Sequence, residues 1–137
     1  MRMNEPLTTI ERLVLATNQH DIEALVACFA EDYQNETPAH PARGFRGRAQ
    51  VRRNWEQIFA FVPDISARII RSAVDGETVW TEWEMHGTRR NGTAHQMCGP
   101  IVFGVEDGLI KWARFYLEPV DASELTVDDA VREQVRQ

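Results

Sequence analysis

The sequence lacks several features that would assign it at once to a functional class. Its 137 residues carry a net charge of −6, so no excess of positive charge indicates a nucleic acid or an anionic membrane as partner. No segment reaches the ~18 apolar residues of a membrane-spanning helix, and the first residues do not resemble a signal peptide. The two cysteines, Cys28 and Cys98, lie in apolar contexts, and we expect both to be reduced, buried thiols of a cytoplasmic protein.

Several kinds of reaction centre are missing from the pattern as well. No histidine or cysteine pair has the spacing of a metal site, and the glycines fall at turns rather than in a phosphate-binding loop. Ser66 and Ser72 have no base beside them in the sequence, so a nucleophilic mechanism is not supported. We therefore expect neither a metal nor a cofactor. Five arginines form a local basic cluster, which we interpret as a solvated loop and helix face: Arg43, Arg46, Arg48, Arg52 and Arg53.

The first half of the chain has the signals of helices. Thr8 and Glu11 form a capping-box pattern that predicts a helix as far as about residue 19, and Asp21 is a cap for a second, short helix. An extended piece then ends at Pro38, and residues 39–47 are predicted as loop. A third helix is predicted from about Arg48 to Phe61, with one apolar face: Val51, Trp55, Ile58 and Phe59.

From residue 65 the apolar period changes to two, which predicts strands at about 65–74, 78–88, 94–104 and 109–118. Glycine-containing turns separate them. The segment 118–137 is predicted as a peripheral tail with an amphipathic helix that Thr126 caps. Helices followed by an antiparallel meander indicate a single α+β domain over 1–137, with helices packed on one face of a curved sheet.

The stretch WTEWEMHG raises the question of which face of that sheet is functional. Alternation places Trp80, Glu82, Glu84 and His86 together on one face. If Asn91-Gly92 is a two-residue type I′ turn, Glu84 lies opposite Gly99 and Glu82 opposite Ile101. The two glutamates then share a face with the apolar side chains of the next strand: Met97, Ile101 and Phe103.

The following turn determines which residues of the last strand join that face. A three-residue loop ending in Gly108 pairs Ile101 with Ala113 and Gly99 with Phe115. A two-residue Asp-Gly loop would instead bring Arg114 and Tyr116 onto the face of the glutamates, and Arg114 would then bind an oxyanion or a carboxylate. We favour the three-residue loop, because a type I turn followed by a left-handed glycine suits Glu-Asp-Gly.

Four segments follow one another in a distinctive order: a short helix ending in FAED, an extended piece ending in proline, the GFRGRAQV helix start and a meander ending in WARFYLEP. This order resembles the nuclear transport factor two superfamily, whose enzymes include SnoaL-like polyketide cyclases, ketosteroid isomerase and limonene-type epoxide hydrolases. It covers nearly the whole chain. It implies a cone in which the concave sheet face and the helices enclose a pocket, and often a homodimer through the outer sheet face.

Neither well-understood relative transfers its chemistry intact. Where the isomerase pattern has its two aspartates and its tyrosine, this sequence has Thr37, Gly99 and Leu13, so that activity is not expected. The epoxide hydrolase pattern YQN is present as Tyr33 and Asn35, which the resemblance implies would hold the attacking water.

The acidic positions of the epoxide hydrolase pattern match only in part. Glu84 falls at the water-activating aspartate of that family, Glu82 at its arginine and Phe115 at its proton-donating acid. One carboxylate is thus kept, one charge is reversed and one acid is lost, and the aspartate–arginine–aspartate relay of the family is not present.

The candidate chemistry is an acid–base pair of glutamates. Glu82 and Glu84 would lie about 6–7 Å apart on one strand face, and burial together would raise one pKa. Glu84 would act as base, with Tyr33 and Asn35, and Glu82 or His86 would donate the proton. The other interpretation places both glutamates on a solvated or interface stretch, paired with arginines: Arg68, Arg71 or Arg114.

The hypothesis from sequence is therefore a cofactor-free acid–base enzyme of the cyclase, isomerase, dehydratase or epoxide hydrolase kind. Its substrate would be a small, largely apolar organic molecule. The alternative is a non-catalytic small-ligand-binding or dimerisation domain of the same fold. Eight residues are predicted to contact the ligand: Trp55, Phe59, Trp80, Met97, Gly99, Ile101, Ala113 and Phe115. The predicted partners are this ligand and a second copy of the chain, with no nucleic acid and no membrane.

Overall fold

The chain forms an α+β cone in a computed structural model that describes residues 5–136. The helices are α1 (Glu5–Asn18), α2 (Ile22–Ala27), α3 (Arg48–Phe61) and α4 (Val127–Val135), and one 3-10 turn spans Pro41–Arg43. The strands are β1 (Phe29–Glu36), β2 (Phe45–Arg46), β3 (Ser66–Asp75), β4 (Thr78–Thr88), β5 (Ala94–Glu106), β6 (Leu109–Phe115) and β7 (Glu118–Pro119).

The helices largely follow the prediction. Asp21 caps α2, since its side chain accepts a hydrogen bond from the Ala24 backbone N–H at 3.0 Å. The bounds of α3 agree with those predicted. The predicted capping box at Thr8 is wrong, because α1 begins at Glu5 and Thr8 lies inside it.

The strands form one curved, mostly antiparallel sheet with the order β2-β1-β6-β5-β4-β3. Strands β1 and β6 pair in parallel, and the short β7 continues the last strand by pairing with β5. Helix α1 packs across β3, β4 and β5, and α3 packs on β1. The helices thereby cover the concave face of the sheet, as predicted for this fold class.

The predicted register of β4 and β5 is wrong by one residue. The hairpin loop has three residues, Arg90 to Gly92: the Arg89 N–H donates to the Thr93 carbonyl, and Gly92 has a left-handed φ of +88°. Glu84 consequently lies opposite Cys98 rather than Gly99. A slip of one residue exchanges the two faces of a strand, so the side of β4 that carries the glutamates is the outer one.

The predicted loop between β5 and β6 is also wrong. Asp107 and Gly108, with φ of +54° and +74°, form a two-residue loop of the type I′ kind, with both central residues left-handed. The register then shifts by one residue between Gly104 and Val105, so that Ile101 pairs with Phe115. The same residues of β6 face inward as with the predicted loop. Phe115 therefore still faces inward, and Arg114 does not enter the pocket.

The core lies between the helices and the concave face. Trp83 and Met85 point inward from β4 and are 1% and 6% exposed, whereas Trp80 on the opposite side is 53% exposed. Cys28 is buried as predicted, but Cys98 is exposed, because it shares the outer face with Glu84. The one-residue slip explains this error too.

The C-terminal helix follows its prediction. Thr126 caps α4 and forms a capping box with Asp129, in which the Asp129 N–H donates to Thr126 Oγ1 and the Asp129 carboxylate accepts from the Thr126 N–H. None of its residues is buried. Within residues 5–136 no helix combines the length and the apolar character needed to cross a bilayer.

Candidate functional site

A cavity of about 290 Å³ lies between α3 and the inner face of the sheet. Its volume is at the lower end of the range for small-molecule sites, and its wall is mostly apolar, as is usual for them. The apolar lining residues are Phe29, Phe45, Val51, Trp55, Ile58, Ile65, Met85, Phe115 and Leu117. The polar lining residues are Tyr33, Asn35, Thr37, Arg43, Asn54 and His95.

Strand β1 supplies a buried polar pair to the cavity. The Tyr33 hydroxyl donates a hydrogen bond of 2.7 Å to Asn35 Oδ1, and the two residues are 1% and 8% exposed. Burial raises the pKa of the Tyr33 phenol far above its usual value, so it does not ionise near neutral pH. Asn35 Nδ2 has no partner among residues 5–136 and is not sealed in the core, and it is free to donate to a ligand.

Strand β5 supplies an imidazole. His95 pairs with Gly87 across the sheet and is half-buried at the cavity wall. Partial burial, and to a lesser degree the positive charge of Arg89, lower the pKa of His95 below its ordinary value of 6.5. The ring is therefore neutral at pH 7 and can accept a proton.

Gly87, which lies opposite His95, allows the segment between α3 and β3 to pack closely against β4 at the cavity wall. A Cβ at Gly87 would come within 2.4 Å of Val62 Cγ1 and 3.2 Å of Ile65 Cα, in the segment that leads from α3 to β3. Asp64 fastens the same segment to β4, because its carboxylate accepts the Thr88 N–H at 2.6 Å. This bond lowers the pKa of Asp64.

Only part of the predicted ligand-contacting set lines the cavity. Trp55 and Phe115 do, together with Tyr33 and Asn35. Ile101 and Ala113 are buried in the core next to it, while Met97 and Phe59 pack against that core. The placement of Trp80 was wrong, and Gly99 does not line the cavity. Trp80 lies exposed on the outer face, and Gly99 lies beneath the backbone of Tyr116.

The three predicted acid–base residues of β4 lie outside the cavity. Glu84 accepts a hydrogen bond of 2.8 Å from Arg68 Nε, and Glu82 pairs with Arg71 at 2.9 Å. His86, which is exposed on the same outer face, has its Nε2 4.0 Å from Glu84. The prediction that these residues face the pocket was wrong because it depended on the incorrect hairpin loop. The arrangement is the solvated one, in which the glutamates pair with arginines.

Four polar lining residues were not predicted as site residues: Thr37, Arg43, Asn54 and His95. Two of them continue alternations already recognised. His95 lies two residues before Met97 on the same side of β5, and Thr37 lies two residues after Asn35. Arg43 carried no such signal, since the cluster of arginines around it resembles a solvated surface. Among residues 5–136 no group of three or more His, Cys, Asp or Glu side chains comes together as metal ligands.

Solved structures with the same fold include proteins described as enzymes and as ligand complexes. An LEH-like epoxide hydrolase from Mycobacterium tuberculosis is 22% identical, with a TM-score of 0.73 over 85% of this chain and 84% of that one. IdmH from Streptomyces antibioticus, described as a candidate polyketide cyclase, is 25% identical, with a TM-score of 0.72 over 82% and 91%.

A third structure contains a ligand. RV0760c from Mycobacterium tuberculosis, in complex with estradiol-17beta-hemisuccinate, is 17% identical, with a TM-score of 0.71 over 90% and 95%. Among curated proteins, none matches this chain. The family profile of the SnoaL-like domain matches residues 10–113, which is most of the chain. These 104 residues include α3, strands β1 to β5 and every polar residue of the cavity wall. The chain belongs to the SnoaL-like domain family.

Proposed function

We propose that the chain binds a small, largely apolar organic molecule in the cavity and acts on it by acid–base chemistry without a cofactor. The observation that carries the proposal is a neutral imidazole, His95, in an apolar wall that also holds the Tyr33–Asn35 pair. His95 takes the role of base that the sequence had suggested for Glu84. Asn35 Nδ2 and the lone pairs of the Tyr33 oxygen orient a polar atom of the substrate.

The reaction belongs to the cyclase, isomerase, dehydratase or epoxide hydrolase kinds. Support for this range comes from the family and from similar structures described as an epoxide hydrolase and a candidate polyketide cyclase. Each of these reactions needs a proton to be moved at a bound organic molecule, and a neutral imidazole can accept one.

A second candidate function is ligand binding without turnover. No aspartate or glutamate of residues 5–136 lines the cavity, and the phenol of Tyr33 is held un-ionised by burial. His95 is then the single group of the wall that titrates near neutral pH. If His95 proves inert, the cavity remains suited to binding, and the chain would act as a carrier or sensor of its ligand.

Ligand binding can be tested at the α3 side of the cavity with the neutral bicyclic ketone α-tetralone. We expect the ketone to shift the indole N–H signal of Trp55 in an NMR titration, because Trp55 lines the cavity. Ile58→Arg places a charge in that apolar wall and should weaken binding by roughly tenfold or more. Gln57→Arg is the matched control, since Gln57 is the exposed neighbour on α3. Equal binding by both variants, or loss in both, would contradict the proposed position of the ligand.

The outer sheet face is proposed as a homodimer interface. Support comes from two large side chains that remain exposed there, Trp80 at 53% and Tyr116 at 38%. We expect the chain to have twice its mass of 15.7 kDa in light scattering, and Trp80→Glu to shift it to the monomer. Leu15→Glu is the control, because Leu15 on α1 is equally exposed, at 56%. A monomeric wild type, or dissociation by both substitutions, would exclude this interface.

A further inference from the structure

Among residues 5–136, Arg43 is the one charged side chain of basic or acidic type that lines the cavity. It ends the 3-10 turn Pro41–Arg43 and is exposed, so it lies at the opening of the cavity. Its guanidinium makes no hydrogen bond and no ion pair with any of residues 5–136. The arginines on the outer sheet face differ, since Arg68, Arg71 and Arg114 each pair with a glutamate.

Two carboxylates in the strands beside this turn bind partners other than Arg43. Glu36, at the end of β1, accepts a bond from Arg114 Nη1 at 3.1 Å. Glu118, in β7, lies 2.8 Å from His40 Nε2. The opening therefore has a guanidinium that no carboxylate of residues 5–136 pairs with, although the chain as a whole carries a net charge of −6.

The backbone that carries Arg43 is held in place. The Arg43 N–H donates to the His40 carbonyl at 2.9 Å, and the Gly44 N–H to the Pro41 carbonyl at 3.3 Å. Phe45 then pairs with Asn35 of β1. A guanidinium on a fixed backbone loses less freedom on binding, and its planar donors suit a carboxylate.

We propose that the ligand of the cavity is an amphiphilic carboxylate, whose carboxylate binds Arg43 at the opening while its apolar body lies against the aromatic wall of Phe45, Trp55 and Phe115. The inference rests on the proposed function, because it concerns the same cavity. It narrows the ligand from any small apolar molecule to one with an anionic end. Arg43 binds and orients the ligand, and His95 lies in the wall of the same cavity, where it can reach the apolar body.

The test compares two ligands that differ in charge but hardly in shape, 1-naphthaleneacetate and 1-naphthaleneacetamide, by calorimetry at pH 7.5. The wild type is expected to bind the acid roughly tenfold more tightly than the amide, as for a charge-assisted bond at a partly exposed site. Arg43→Gln should remove this preference by weakening the acid alone. Arg43→Lys should retain part of it, since the charge stays but the forked donors are lost.

Arg46→Gln is the control for long-range charge. Arg46 is exposed, three residues away, and bonded to Gln34 outside the cavity, so its loss should leave the preference for the acid in place. Equal binding of acid and amide by the wild type would overturn the carboxylate inference and leave the apolar site standing. An Arg43→Gln variant that binds both ligands more weakly, by the same factor, would overturn it too. If neither ligand binds, the proposed function itself fails, and the inference fails with it.

Discussion

Gly99→Ala is expected to lower the free energy of unfolding by about 3–5 kcal/mol, from backbone strain and a steric clash together. Gly99 has a φ of +138°, which residues with a Cβ rarely adopt. A Cβ there would lie 2.3 Å from the Tyr116 carbonyl oxygen and 3.1 Å from Leu117 Cα. These atoms belong to the backbone between β6 and β7, so no side-chain rotation can relieve the contact. Urea unfolding followed by circular dichroism measures the change.

The control for this prediction is Gly92→Ala. Gly92 also has a positive φ, of +88°, but nothing lies within 4 Å of a Cβ built there. The conformation alone should cost about 1–2 kcal/mol. A Gly99→Ala variant no less stable than Gly92→Ala would show that the chain between β6 and β7 can move away from β5, contrary to the close approach of the two backbones at Gly99.

Gly99 also illustrates how a sequence pattern can identify an unusual residue for the wrong reason. The sequence placed it opposite Glu84, whereas its partner across the ladder is the inward-facing Trp83. Its role is to let the backbone at Tyr116 pass close to β5. The strand resumes at β7, beyond Leu117, which lines the cavity. Close approaches of this kind depend on contacts between distant segments, and the local sequence does not contain them.

The types of most elements and several of their bounds could be predicted because local signals determine them, although β2 and the 3-10 turn lie in the segment 39–47 that was predicted as loop. Asp21, Thr126 and the alternating apolar pattern of the second half each act over a few residues. The register between two strands depends less on local sequence. The loop at residues 90–92 has three residues, partly because the Asn91 side chain accepts bonds from both the N–H and the hydroxyl of Thr93. The same Asn-Gly pair suits a two-residue turn equally well in sequence.

That single choice of loop determined the identity of the catalytic candidates. The inner face of β5 was predicted correctly, since Met97 and Ile101 do face inward. The incorrect loop, however, placed the glutamates of β4 on that same face. The structure pairs the glutamates with Arg68 and Arg71 at the surface, where such pairs contribute about 0–1 kcal/mol. Tyr33 and Asn35 came from the family resemblance, which does not depend on the hairpin, and both do line the cavity.

His95→Gln is expected to lower the rate of a proton abstraction in the cavity by roughly 10²-fold, in the range for loss of a general base. The probe is 5-nitrobenzisoxazole, a small and apolar molecule. A base removes its ring C–H proton as the N–O bond breaks, and a nitrile and a phenolate form. The reaction needs no cofactor and no second substrate, so it reports on the imidazole in its apolar surroundings. Saturation of the rate by the probe, above the buffer background, is expected for the wild type.

His86→Gln is the matched control. His86 lies on the same sheet but on its outer face, so its substitution should leave the rate within about twofold, as expected for a side chain outside the cavity. Glu84→Gln tests the base suggested by the sequence in the same way, and a loss of rate in that variant would restore Glu84 to this role.

The pH dependence of the wild-type rate distinguishes two roles of His95: that of a general base and that of a side chain that only packs in the wall. Because burial lowers the pKa of His95 below 6.5, the ring is protonated and inactive only at pH values below that reduced pKa. The value of kcat/KM should rise with pH, through a single ionisation below 6.5, and stay level up to about pH 8, where the neutral ring predominates. In His95→Gln this ionisation should vanish. A profile with the same ionisation in that variant would assign the proton transfer to another group.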